Sequence, residues 1–149
     1  MTQWIDENFY KEILNAVPIV CVDLILIREN KFLLGQRLNE PAKSQWFFAG
    51  GRVFKNEPLK DAALRKAKEE LGVEITYSDL KLLGVGETIF QESNRHTVNT
   101  VFTVNFNNTL AINFDKTQHS KIEWFSSIDE NWHPYVKEML ELAGFGKIN

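Results

Sequence analysis

Between Gly50 and Val73 the chain reads GGRVFKNEPLKDAALRKAKEELGV. A glycine pair, an early acid at Glu57, an arginine at Arg65 and the adjacent carboxylates Glu69 and Glu70 are closed by Leu71-Gly72. Carboxylate and carbonyl oxygens are hard ligands suited to Mg²⁺ or Mn²⁺. Guanidinium forks match the oxygens of a phosphate two at a time. The chemistry these residue types could do together is to hold a divalent ion against two linked phosphates.

The segment that must position them is a helix, expected over Pro58 to Leu71 with proline in its first turn and Gly72 as its stop. At about 100° per residue, Leu59, Ala63, Leu64, Ala67 and Leu71 share one arc that faces a core, and Glu70 falls within the same arc. Lys66, Ala62, Glu69 and Arg65 sweep around the next face. A buried carboxylate needs a cation, a metal or several donors beside it. Taken alone, the acid pair has a plainer reading as a surface pair with Lys66, worth about 0.3–0.5 kcal/mol.

The remaining elements frame this helix. A short opening helix spans Asp6 to Ala16 (about 5–16), with Pro18 beyond it. Two β-rich runs, Ile19–Ile27 and Lys31–Leu38, read as a hairpin, and Trp46 to Phe48 as a short strand before an Ala49-Gly50-Gly51 turn. Leu80–Phe90 and Thr97–Phe106 flank the polar QESNRH and read as a second hairpin with an exposed tip. Lys121–Phe125 makes another strand, and Tyr135–Ala143 a closing helix. Hairpin spacing around a central helix predicts an α+β fold, an α/β/α sandwich with a mixed β-sheet. At 149 residues, a single domain over 1–149 is the expectation.

With those residues in place, the segment resembles the Nudix box, GX5EX7REUXEEXGU, with Gly51, Glu57, Arg65, Glu69, Glu70, Gly72 and Val73 in register. Lys66 stands where the pattern has a glutamate, and Ala67 is a small version of the next apolar site. The longer run LLGQRLNEPAKSQWFFAGGRVFKNE is similar to the GDP-mannose mannosyl hydrolase branch, which cleaves the sugar's C1–O bond with inversion. The resemblance implies hydrolysis of GDP-mannose or GDP-glucose to GDP and free sugar. It assigns Arg37 and Arg52 to substrate binding and charge stabilisation, and Arg65 to charge stabilisation or metal-site geometry. It implies Mg²⁺ or Mn²⁺ held by Glu70, a carbonyl of Gly50 or Gly51, and Gln118, with Glu69 assisting. In TQHSKIEWF it implies His119 as general base, a task for which imidazole is suited. Asp23 matches an active-site aspartate of the branch, with a hydrogen-bonded strand acid as the alternative. Thr88 and Asn99 stand where the branch carries histidine and tyrosine. Phe9, Trp46 and Phe90 could stack on a base or simply fill the core.

A net charge of −3 gives no footprint for nucleic acid. No signal peptide and no bilayer-length apolar run is visible, and the lone Cys21 reads as a small buried thiol. A cytoplasmic protein with a nucleotide-sugar ligand and no membrane partner is expected. The opening helix resembles the branch's dimerisation element, so a homodimer is expected too. Two other activities stay open: a pyrophosphohydrolase whose water attacks phosphorus, and a nucleotide-binding domain without turnover.

Overall fold

The computed structural model describes residues 4–107 and 112–147. The described elements are α1 (Glu7–Ala16), β1 (Ile19–Arg28), β2 (Lys31–Arg37), β3 (Trp46–Phe47), β4 (Ala49–Arg52), α2 (Leu59–Leu71), β5 (Leu80–Phe90), β6 (Arg95–Asn105), β7 (His119–Phe125) and α3 (Pro134–Leu142). The expected mixed sheet and its helical layers are present, and element boundaries fall within two residues of the sequence reading except around the glycine pair.

The strand IVCVDLILIR is apolar on both faces because it runs through the middle of the sheet. It pairs in parallel with β6, Ile19 opposite Thr97 through Ile27 opposite Asn105, and β6 pairs antiparallel with β5. With β2 it is paired only at Ile27↔Phe32 and Arg28↔Lys31, next to a turn in which Glu29 and Asn30 take positive φ. Beyond that corner the two strands part. β4 pairs with β1, and β7 with β2.

This divergence corrects one expectation. Ala49 to Gly51 is a strand, running from Ala49 opposite Leu24 to Arg52 opposite Cys21. The glycines read as a turn, yet they lie in extended backbone and are needed for close side-chain approach.

The period of two along β1 assigns its residues to two cores. Val22, Leu24 and Leu26 pack with Ala62, Ala63, Ala67 and Leu71 of α2, and Ile25 packs with Tyr135, Val136, Met139 and Leu140 of α3. Each Leu-sized side chain so buried stabilises the fold by roughly 1.5–3 kcal/mol. Along α2 the buried set is Ala62, Ala63, Ala67, Glu70 and Leu71. Ala62 therefore joins the core, while Leu59 in the first turn is 40% exposed, its place taken by the tighter alanine face. Gly72 ends the helix at φ 66°, its N–H bonded to the carbonyls of Ala67 and Lys68.

Candidate functional site

A cavity of about 260 Å³ opens on the α3 side of β1, between the end of α1, the loop after β2, strand β4 and the β5–β6 hairpin. Arg37, Arg52 and Arg95 line it together with the carboxyls of Asp23 and Glu40. The Arg37 Nε–H donates to the Pro41 carbonyl (2.7 Å), and burial lowers the guanidinium's pKa from a value so high that it stays a cation. The Tyr10 ring lies 6.0 Å from the Arg52 guanidinium carbon and 5.6 Å from that of Arg95, so one aromatic side chain of α1 steadies both cations over the opening.

The alternation that sends Leu24 toward α2 sends Asp23 the other way, into the cavity wall. Its carboxyl, 8% exposed, accepts hydrogen bonds from the Tyr135 hydroxyl and from Asn99 Nδ2 (2.7 Å). Asn99 Oδ1 in turn accepts from the Thr97 hydroxyl (2.6 Å), which leaves the Thr97 oxygen to accept from Thr88 (2.6 Å). The chain Thr88, Thr97, Asn99, Asp23 thus has one direction, with Tyr135 closing it from α3. Desolvation by burial raises the Asp23 pKa to about 6 against the opposing pull of the Tyr135 and Asn99 hydrogen bonds. A carboxyl tuned this way is ionised at neutral pH and basic enough to take a proton.

Gly50 joins this cavity to a second group of residues. An added Cβ there would collide with the Asp23 carboxylate and the Val22 carbonyl, and the Gly50 N–H donates to Glu70 Oε2 (2.8 Å). Glu70 is 5% exposed. Its other oxygen accepts from His119 Nε2 (3.1 Å), and Lys66 Nζ lies 3.5 Å from Oε2. Lys66 also reaches Glu69 Oε2 at 3.3 Å. Gly51 has no Cβ where the Lys66 chain passes; one built there would be 2.7 Å from Cε and 3.0 Å from Nζ.

Arg65 is the clamp beneath. Its Nε and Nη2 donate to the two oxygens of Glu57 (2.8 and 3.0 Å), Nη2 also to the Arg52 carbonyl (2.9 Å), and Nη1 to Glu69 (3.2 Å). Phe54 covers its face at 3.7 Å. Hydrogen bonding from Arg65 holds the Glu57 carboxyl below the usual range.

Asp23, Arg37, Gly50, Gly51 and Arg52 therefore meet at one cavity, and Glu70 abuts it through Gly50. The others stand elsewhere. His119 is 1% exposed and outside the cavity wall, with its ring against Gly35 and its Nδ1 buried with no hydrogen-bond partner among the described residues. Arg65 is turned inward to Glu57 and Glu69, and Gln118 lies exposed in the turn before β7, its peptide groups bonded to Leu38 and Asp115. Among the described residues no three His, Cys, Asp or Glu side chains are arranged to hold a metal ion. The carboxylates that would bind one, Glu69 and Glu70, are already met by the Lys66 ammonium, so this arrangement does not fit a resident divalent ion.

Sequence reasoning missed Tyr135, Thr97 and Arg95. Tyr135 is one of four buried residues along α3 and reads as core; its hydroxyl was the available signal, since a buried phenol usually has a partner. Arg95 lay in a segment read as an exposed tip. His96, also read as tip decoration, is in β6, pairs with Glu87 (3.2 Å) and lines the cavity. Phe90 lines it as well, whereas Trp46 packs on Phe125 and Phe9 is 56% exposed.

Residues 17–142 match the family model described as the NUDIX domain. The chain is 40% identical over 146 residues to the low-salt glycan biosynthesis protein Agl8 of Haloferax volcanii, covering 94% of this chain and 91% of that protein. It is 35% identical over 85 residues to an ADP-ribose pyrophosphatase of Methanocaldococcus jannaschii, covering 57% of this chain and 49% of the relative. A solved structure of a MutT NUDIX hydrolase from Burkholderia pseudomallei superposes with a TM-score of 0.75 at 24% identity, over 85% of this chain and 98% of that one.

Proposed function

Because the chain belongs to the Nudix hydrolase family, we propose that it hydrolyses a nucleotide sugar, GDP-mannose or GDP-glucose, to the nucleoside diphosphate and the free sugar. The observation that carries this reading is the Asp23 carboxyl in the wall of a cavity whose other charges include three arginines. Water attacks the anomeric carbon as its proton passes to the Asp23 carboxylate. The C1–O bond breaks, and its electrons leave with the diphosphate. Arg37, Arg52 and Arg95 meet that departing charge. A single displacement inverts the anomeric centre.

In this scheme Asp23 takes the role of base, and His119 positions Glu70 instead of touching water. Arg65 acts as a positioning residue through Arg52 and Glu57. Nudix hydrolases generally use divalent metals such as Mg²⁺. Here Mg²⁺ would reach Glu69, Glu70 and a Gly50 or Gly51 carbonyl only if the Lys66 ammonium withdrew, and no step above runs through it. The glycan-biosynthesis name of the Haloferax relative supports a sugar-bearing substrate.

A second reading, pyrophosphohydrolysis with water attacking phosphorus, is favoured by the names of the shorter matches, an ADP-ribose pyrophosphatase and a CTP pyrophosphohydrolase of Escherichia coli. Hydrolysis of GDP-mannose in ¹⁸O water separates the two. Label in the sugar is expected; label in phosphate replaces the first reading with the second, and turnover of neither bond leaves only binding.

The exposed apolar residues of α1, which has no buried side chain, fit a second copy of the chain as partner, and sedimentation equilibrium should give twice the monomer mass. A cytoplasmic site of action accords with a nucleotide substrate and the free thiol of Cys21, whose pKa burial pushes up to about 12. Among the described residues no helix is long and apolar enough to cross a membrane.

A further inference from the structure

Lys66 sits three residues before Glu69 and four before Glu70 on α2, on the turn of helix that brings all three side chains together. Its ammonium is 3.3 Å from Glu69 Oε2 and 3.5 Å from Glu70 Oε2, and its side chain is largely buried beside a residue, Gly51, that has no Cβ to obstruct it. Arg65 reaches Glu69 from the other side at 3.2 Å. Glu57, Glu69 and Glu70 thus share two cations, with Arg65 held by Glu57 through two of its donors, and the position from which one ion could touch both Glu69 and Glu70 is filled by the Lys66 nitrogen, which is covalently part of the chain.

We propose that Lys66 is a tethered cation that replaces a carboxylate-bound divalent ion in this box. The protein alone then has little affinity for Mg²⁺ or Mn²⁺ at Glu69 and Glu70, because an arriving ion must both displace the ammonium and share a site with positive charge. The tether also holds Glu70 in position to accept the Gly50 N–H, so the β4 backbone stays in register with the helix without an ion to bridge them. The inference does not depend on which bond of the substrate is cut.

The test counts bound Mn²⁺ on the nucleotide-free full chain by electron paramagnetic resonance, comparing wild type with Lys66→Glu and Lys66→Met. Lys66→Glu puts a third carboxylate on the same helical face and should tighten Mn²⁺ binding by about tenfold or more. Lys66→Met removes the charge without adding a ligand and should tighten it by a smaller factor. Mn²⁺ should raise the melting temperature of both variants and leave that of wild type unchanged. Wild-type binding as tight as that of the two variants would overturn the proposal. Should circular dichroism show Lys66→Glu unfolded, the comparison with Lys66→Met decides alone, by the same criterion. Since no nucleotide is present, failure here leaves the isotope experiment on the substrate to succeed or fail separately.

Discussion

The carboxylate of Asp23 occupies the space that any side chain on Gly50 would need. The residues face each other across the β1–β4 ladder, and neither can change size without moving the other. Gly50→Ala should destabilise the protein by about 1–3 kcal/mol through overpacking, measured by urea denaturation. It should also push Asp23 off its hydrogen bonds and lower kcat more than it raises KM.

Asp23 carries a pH signature of defined sign. Its folded pKa of about 6 lies above the unfolded value near 3.9, so the folded state binds the extra proton and stability falls as pH rises between the two. Relative to Asp23→Asn, the wild type should lose about 2–3 kcal/mol from pH 4 to pH 7, with no further change above. The rising limb of kcat/KM should lie near pH 6 and vanish in Asp23→Asn. Tyr135→Phe removes a hydrogen bond that lowers the Asp23 pKa, so the limb should move to higher pH.

His119 separates positioning from proton transfer. His119→Gln should lower stability by about 1–3 kcal/mol, since a buried side chain packed on Gly35 and bonded to Glu70 is replaced. The rising limb should stay near pH 6. A limb that disappears in this variant would return the role of base to the histidine.

Arg65→Ala leaves the part-buried Glu57 without its bidentate partner and should cost about 2–3 kcal/mol, between the surface and buried limits for ion pairs. Because Arg65 depresses the Glu57 pKa, this stabilisation is present above the unfolded glutamate value of about 4.3 and is lost as pH falls through the folded one. The difference between wild type and variant in denaturant midpoint should therefore shrink in acid.

Arg95→Ala should raise KM for a nucleotide diphosphate sugar by about tenfold, the worth of one charge-assisted contact, with stability changed little. An unchanged KM would remove Arg95 from the substrate's surroundings.

The elements were legible because each is written in local periodicity: β1 by its long apolar run, α2 by its alanine face and Gly72, the β5–β6 hairpin by the polar segment between its strands. Ala49–Arg52 was not, because glycine signals backbone freedom and cannot say whether that freedom serves a turn or a close neighbour. The parallel register of β1 on β6 pairs residues about eighty positions apart. That register brings Asn99 to Asp23, and nothing local to either residue announces it. Arginines flanking the glycine pair could be named from the sequence. Lys66 could be seen to depart from the box, and its helical spacing offered a pair with either glutamate; that it meets both at once, largely buried beside Gly51, became visible only once α2 lay against β4.

The Asn94 side chain at the tip of the β5–β6 hairpin donates to Asn15 of α1, and Tyr10 and Leu14 of that helix line the cavity. The match to the family model starts at residue 17. Part of the cavity wall is thus built by a helix ahead of the residues that the family model matches, latched to a hairpin from the other half of the chain. Substitutions at Tyr10 and Leu14 should therefore shift KM from one nucleotide sugar to another, while the hydrogen-bond chain from Thr88 to Asp23 keeps its geometry.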